Sequence, residues 1–295
     1  MHSYVIGITE VLHDSLFSLS LSLSLDFLLY LSLTTTYIHT YIHTSRLPNM
    51  SKPHNSYLDH PPSAPPPDDI MTQPFTPPST LLQHFNSIPW AASLLKSPDY
   101  YPIQTWSRLP KPSTGEDGFF AGTLATSSTI PHSLTLRRRE IATPPQEVPA
   151  WPSPTASPSS PPSSTPPDVI MLFSLSTPGI CGHPSTAHGG IVATLIDETM
   201  SLAVAMHSED RRDHPRGAIF TAQLDLRYKR PVAAPGLLVV RAKVVARLGR
   251  KTWVRAQVLQ EEDNTGGHLE WAKRKRVMAD AMGFWLEATP AASRL

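Results

Sequence analysis

The stretch from His188 to Met206, HGGIVATLIDETMSLAVAM, constrains the fold more than any other part of the chain. It opens on Gly189-Gly190 and continues apolar almost all the way round. A helix of that kind is wrapped by the rest of its domain. One carboxylate, Asp197, interrupts it near the middle. Gly190, Ala193, Thr194 and Ser201 fall at helical spacing from Asp197, so the acid lies on a stripe of small residues. A core helix with a merely satisfied acid needs neither the paired glycines nor the clear approach to Asp197. The pattern points to a carboxylate kept accessible to another molecule.

Much of the remaining length is not core. The 32 prolines among 295 residues cluster in two places. Ser18 to Leu25 is a strict Ser-Leu alternation and Thr36 to Thr44 a strict Thr-Tyr-Ile-His repeat. Both are what microsatellite DNA gives when translated, so residues 1–49 read as a mistranslated or disordered leader and Met50 as the expected start. A signal or anchor at Leu16 to Leu33 is the rival reading. Asp14 and Asp26 oppose it, and no basic residue precedes the segment. Residues 50–80 are Pro-rich and read as disordered, as does the Pro-Ser loop at 142–167. The single cysteine, Cys181, excludes an internal disulfide and fits a reducing compartment, cytoplasmic or mitochondrial. A formal net charge of +1 makes no case for nucleic-acid binding.

Leu81 to Leu95 carries helical spacing broken at Pro89, which predicts a short helix on each side. Residues 98–118 read as loop. Ile130 to Ile141 is a strand candidate ending in Arg137-Arg138-Arg139, best taken as a solvated edge, and Val169 to Leu175 is an apolar strand. His207 to Arg216 is a charged loop whose spacing matches no metal site. The period then changes to two. Phe220, Ala222, Leu224, Leu226 and Tyr228 alternate with Thr221, Gln223, Asp225, Arg227 and Lys229, which puts Thr221 on the polar side. Leu237 to Arg247, Thr252 to Gln260 and Val277 to Glu287 are further strands. Consecutive strands with short turns are antiparallel. The fold class is therefore α+β, one antiparallel sheet around one long central helix.

These residues resemble a known family. His188-Gly189-Gly190 with Thr194-Leu195-Ile196-Asp197-Glu198, then Thr221-Ala222, Tyr228-Lys229-Arg230-Pro231-Val232 and Gly249-Arg250-Lys251 are similar to hotdog-fold acyl-CoA thioesterases of the phenylacetic-acid-degradation type. Ile88-Pro89-Trp90, Ser107-Arg108, Lys111-Pro112-Ser113-Thr114 and Phe119-Phe120-Ala121 resemble the fungal subgroup. The likeness covers residues 81–288. It implies a sheet wrapped on the helix, paired subunits (a homodimer or a dimer of dimers), and hydrolysis of an acyl-CoA with no metal or other cofactor. By position, the Gly189 N–H would polarise the thioester carbonyl, and Asp197 would activate a water or attack directly. Thr221 would orient that water or the acid, while His188 and Gly190 would shape the site. Lys229, Arg230, Arg250 and Lys251 are candidates for the CoA phosphates, with ordinary surface charge as the rival reading. The family often has an Asn six or seven residues before the His; here Gly182 and Cys181 stand there.

Elementary physics agrees with this picture. A helix start offers free N–H groups and a partial positive charge. A carboxylate in apolar surroundings has a raised pKa and is a stronger base. Eight residues separate Gly189 from Asp197, about 12 Å of helix. One carbonyl cannot touch both ends, so donor and acid would come from two helices and the site from two subunits. A non-catalytic acyl-CoA-binding or scaffold protein is the alternative, favoured by the absent Asn. A hydratase is disfavoured because no paired Asp-His motif is present. Neither a nucleic acid nor a membrane is expected as a partner.

Overall fold

A computed structural model of the chain describes residues 70, 73–151, 163–208, 218–262 and 274–288. The repeats before Met50, most of the Pro-rich stretch that follows, the centre of the Pro-Ser loop and most of the charged loop after His207 lie outside the described residues.

Two short helices come first, Ser79–Asn86 (α1) and Pro89–Leu95 (α2). Pro89 separates them by taking the first turn of α2, where its missing N–H costs nothing. The expected disorder over 50–80 ends early. The Phe75 N–H donates to the Pro102 carbonyl at 2.8 Å, and α1 opens at Ser79. The 98–118 region is not all loop: Tyr100–Ile103 forms strand β1, and a helical turn follows at Trp106–Arg108. A second turn, Phe119–Thr123, places Phe120 in the core.

Strands β2 (His132–Arg138) and β3 (Val169–Leu175) follow, then a small hairpin of β4 (Cys181–His183) and β5 (Thr186–Ala187). The long helix α3 spans Gly189–Ser208. Strands β6 (Ile219–Tyr228), β7 (Gly236–Leu248), β8 (Lys251–Glu261) and β9 (Lys275–Glu287) complete the chain. The seven-stranded sheet has the order β1-β2-β3-β7-β8-β9-β6, antiparallel throughout. β6 and β7 are therefore not a hairpin. β6 pairs with β9 at the sheet edge.

The inner face of the sheet closes on α3. Leu195, Ile196, Met200 and Ala203 have no exposed surface and meet Met171, Phe173, Leu238, Val240, Val254 and Val258. Each large apolar side chain so buried contributes about 1.5–3 kcal/mol. α3 has the length and apolarity of a membrane-spanning helix, but it is a core helix here, half buried inside the fold.

The outer face is covered too. Phe85 and Ala91 of α1 and α2 pack on Leu134, Leu136, Ile170, Leu172 and Val239. This explains the unbroken apolar run of β3, which is buried on both sides. Further along, Trp151 packs with Val245, Ala246, Trp253 and Met282 and donates to Asp225 Oδ2 at 3.0 Å. Ser164 donates to Gln257 Oε1 at 3.0 Å. The flanks of the 142–167 segment are thus docked on the sheet rather than loose. The arginines ending β2 are not at an edge, because β1 pairs outside them.

Candidate functional site

The Gly-Gly opening of α3 is held by its own preceding residue. The His188 N–H donates to the Ile180 carbonyl at 2.8 Å. His188 Nδ1 accepts from the Gly190 N–H at 3.0 Å, a side-chain cap on the first turn. That contact requires an unprotonated Nδ1, so a neutral His188 carries its proton on Nε2. The Gly189 N–H has no protein acceptor among the described residues, while its carbonyl accepts from the Tyr228 hydroxyl at 2.6 Å. A Cβ at Gly189 would stand 3.3 Å from that hydroxyl oxygen. The helix start therefore presents one uncommitted backbone donor, the kind of group that stabilises an oxyanion.

Of the two positions where the family often has an Asn, Gly182 has a packing reason for being glycine. A Cβ on Gly182 would lie 2.9 Å from His188 Cδ2 and 3.2 Å from its Cα. Gly182 lets the β4–β5 hairpin lie against the histidine, and an Asn there would displace it.

Asp197 accepts a hydrogen bond from Thr221 Oγ1 at 2.8 Å. Burial pushes its carboxyl above the ordinary value, and the Thr221 bond partly opposes this. Strict alternation would have turned Thr221 away. A β-bulge changes that: Thr221 lies opposite Trp285 and Gln223 opposite Phe284, leaving Ala222 as the extra residue. The bulge reverses the parity of the strand. Leu224 and Leu226 face the core, as the alternation predicts, but before the bulge Ile219 takes the inward side and Phe220 is 60% exposed. Trp285, buried opposite Thr221, folds over Gly283 and against Met200 of α3. The other hydroxyls near the acid are turned onto the helix backbone: Thr194 donates to the Gly190 carbonyl at 2.9 Å and Ser201 to the Glu198 carbonyl at 2.8 Å. The small-residue stripe thus offers Asp197 no side-chain donor of its own.

Gly189 and Asp197 are met by different parts of β6, Tyr228 and Thr221 respectively. The four basic candidates divide likewise. Lys229 approaches Asp280 at 3.5 Å and Arg230 donates to the Val277 carbonyl at 3.4 Å, at the Tyr228 end. Arg250 donates to the Glu287 carbonyl at 3.3 Å, and Lys251 lies opposite Leu286, at the Ile219 end. Ten strand residues, about 34 Å, separate the ends. Within one chain they form two patches, not one. A groove of about 440 Å³ beside the β4–β5 hairpin, lined by Pro178, Cys181, His183 and Pro235 among others, contains neither Asp197 nor Gly189.

Sequence reasoning missed two features. Tyr228 is the last residue of an alternating strand, and nothing marks its hydroxyl as a helix partner. Glu198 reads as a polar neighbour of Asp197, yet burial pushes its carboxyl up to about 7.

Residues 185–266 match the model of the thioesterase superfamily. With the sheet closed on α3, the match identifies a hotdog fold of the thioesterase-superfamily type over that stretch. It is 29% identical over 96 residues to the acyl-coenzyme A thioesterase THEM4 of Xenopus laevis, 32% of this chain and 39% of that protein. It is also 29% identical over 85 residues to the uncharacterized mitochondrial membrane protein FMP10 of Saccharomyces cerevisiae, 29% of this chain and 33% of that one. The chain spans between 33% and 55% of the length of the curated relatives it matches. The solved PaaI protein of the E. coli phenylacetic acid degradation operon is 12% identical over 41% of this chain and 72% of its own, with a TM-score of 0.32.

Proposed function

We propose that the protein is an acyl-CoA thioesterase in which Asp197 activates the attacking water. The observation that carries this reading is the Asp197–Thr221 pair: a carboxylate raised by burial, fixed by one hydroxyl, on a helix whose first turn keeps the Gly189 N–H uncommitted. Asp197 takes a proton from water as the water adds to the thioester carbon. The carbonyl oxygen gains negative charge against a Gly189 N–H, the tetrahedral intermediate collapses, and CoA leaves as the thiolate. Thr221 holds the acid in the orientation that aims its free oxygen at the water. His188 holds Gly190 and so shapes the turn that carries Gly189. Lys229 and Arg230, next to Tyr228, suit the CoA phosphates at the helix-start end; Arg250 and Lys251 would serve only from a second subunit.

Donor and acid lie too far apart on one helix to share a carbonyl, so each site takes Gly189 from one subunit and Asp197 from the other of a homodimer. The exposed edge strand β6, with Phe220 60% and Tyr228 53% exposed, supports that assembly.

The test is thiol release across short, medium, long and aromatic acyl-CoAs. Release by the wild type and none by Asp197→Asn is expected. Equal release from both would overturn the reading. Shared sites are tested by mixing Asp197→Asn with Gly189→Pro, which removes the N–H at a helix position that tolerates proline. Two inactive homodimers should yield about a quarter of wild-type activity after subunit exchange, since half the dimers are mixed and each mixed dimer has one intact site.

The second reading, an acyl-CoA binder without turnover, is favoured by one observation: Gly182 and Cys181 stand where the family often has an Asn, and the packing of Gly182 on His188 leaves no room for one at that position. Binding of acyl-CoA without thiol release by the folded wild type would establish it.

A further inference from the structure

Gly189 sits between two peptide planes whose polar atoms are all held but one. In the plane before it, the His188 carbonyl accepts from the Ile191 and Val192 N–H groups at 3.0 and 3.2 Å. In the plane after it, the Gly190 N–H donates to His188 Nδ1 at 3.0 Å, and the Gly189 carbonyl accepts from the Tyr228 hydroxyl at 2.6 Å. The Gly189 N–H is the atom left over among the described residues. A glycine pair has more backbone freedom than any other pair, and an uncommitted N–H stabilises charge only when it points one way. His188 and the first turn of α3 supply the local restraints. The remaining one comes from β6, 39 residues along the chain. Tyr228 shares the inward parity of Leu224 and Leu226, which turns it toward α3. The fit leaves little slack: a Cβ at Gly189 would stand 3.3 Å from the hydroxyl oxygen and 3.4 Å from Cζ, so an alanine would push the hydroxyl away. A carbonyl can only accept, so the phenol must keep its proton. Burial pushes it above its ordinary value and favours that form.

We propose that Tyr228 is the positioning residue of the oxyanion donor: holding the Gly189 carbonyl from β6, it fixes the peptide that follows Gly189 and with it the direction of the Gly189 N–H. Its bearing on turnover rests on the thioesterase reading; its hold on the helix start does not. Thr221 acts in the same way on the acid, nearer the other end of the strand, with its hydroxyl 2.8 Å from Asp197. One edge strand thus carries two hydroxyls, one for each working group of α3. In a site shared between two subunits, the β6 of each subunit positions the donor of one site and the acid of the other.

The experiment uses the full chain with Tyr228→Phe, which keeps the ring and removes the hydroxyl, with Gly189→Ala, and with both together. In thiol release, Tyr228→Phe should lower kcat about 10- to 100-fold with KM steady, because a misdirected donor weakens the transition state and not the binding of substrate. In thermal unfolding, Gly189→Ala crowds the hydroxyl in the wild type and has no hydroxyl to crowd in Tyr228→Phe. The double variant should therefore melt at least about 2 °C above the value that adding the two single losses gives. Additive Tm losses overturn the proposal, as does an unchanged kcat in Tyr228→Phe when the wild type hydrolyses acyl-CoA. A raised KM with kcat unchanged also overturns it, since the hydroxyl would then serve the substrate and not Gly189. Coupled Tm losses in a wild type that hydrolyses nothing support the hold on the helix start and overturn the thioesterase reading instead.

Discussion

Asp197 is an uncomfortable residue for the position it holds. Its carboxyl is desolvated, its one side-chain partner among the described residues is the Thr221 hydroxyl, and its pKa is raised. A raised acid contributes stability only at low pH and loses it as pH rises through its folded value. Asp197→Asn should therefore raise Tm at pH 8 while lowering kcat by about 10²–10⁴-fold; a calorimetric scan and a thiol assay read the two effects. Thr221→Ala removes the bond that holds the acid down. It should shift the acid limb of the pH–rate profile upward and cost about tenfold in kcat, because the base is less well oriented. Gly182→Asn tests the other departure at the same scale. Its Cβ would meet His188 2.9 Å away, so activity should fall rather than recover.

At the scale of elements, β6 decides whether the site exists. A strand counts side chains in twos, and the bulge at Ala222 changes the count. Deleting Ala222 should send Thr221 outward and bring Phe220 in, abolishing activity; loss of the Thr221 contact in a crystal structure of the variant would check it. Gly283→Ala addresses the floor under Thr221. A Cβ there would run into the Trp285 ring, and overpacking of this kind costs about 1–3 kcal/mol in denaturant unfolding. The sequence made the central helix legible through its apolar run, and β6 to β9 through their period of two. The helix pair was legible through Pro89. The bulge was not, because no residue type announces one within an alternating run. β1 was hidden by Pro102, which an edge strand tolerates. His188, Gly189, Asp197 and Thr221 were nameable as candidates, but the hydrogen bond from Tyr228 to the Gly189 carbonyl crosses 39 residues, which no local pattern records.

At the scale of the whole molecule, the sheet has two covered faces and one long open edge. α3 takes the inner face, while α1 and α2 take the outer face over β2, β3 and β7. Phe85 is fully buried in that cap, and Phe85→Ala should cost about 3–5 kcal/mol in chemical denaturation. β6 remains open, with Phe220 60% exposed. Phe220→Asp should convert a dimer into monomers by light scattering and take activity with it, since each proposed site needs two chains. The cap has a consequence for how copies accumulate. A sheet with a bare apolar back can join a second sheet there and go on stacking. This one spends its back over β2, β3 and β7 on its own N-terminal helices, which leaves no bare apolar back there for a second sheet to stack on.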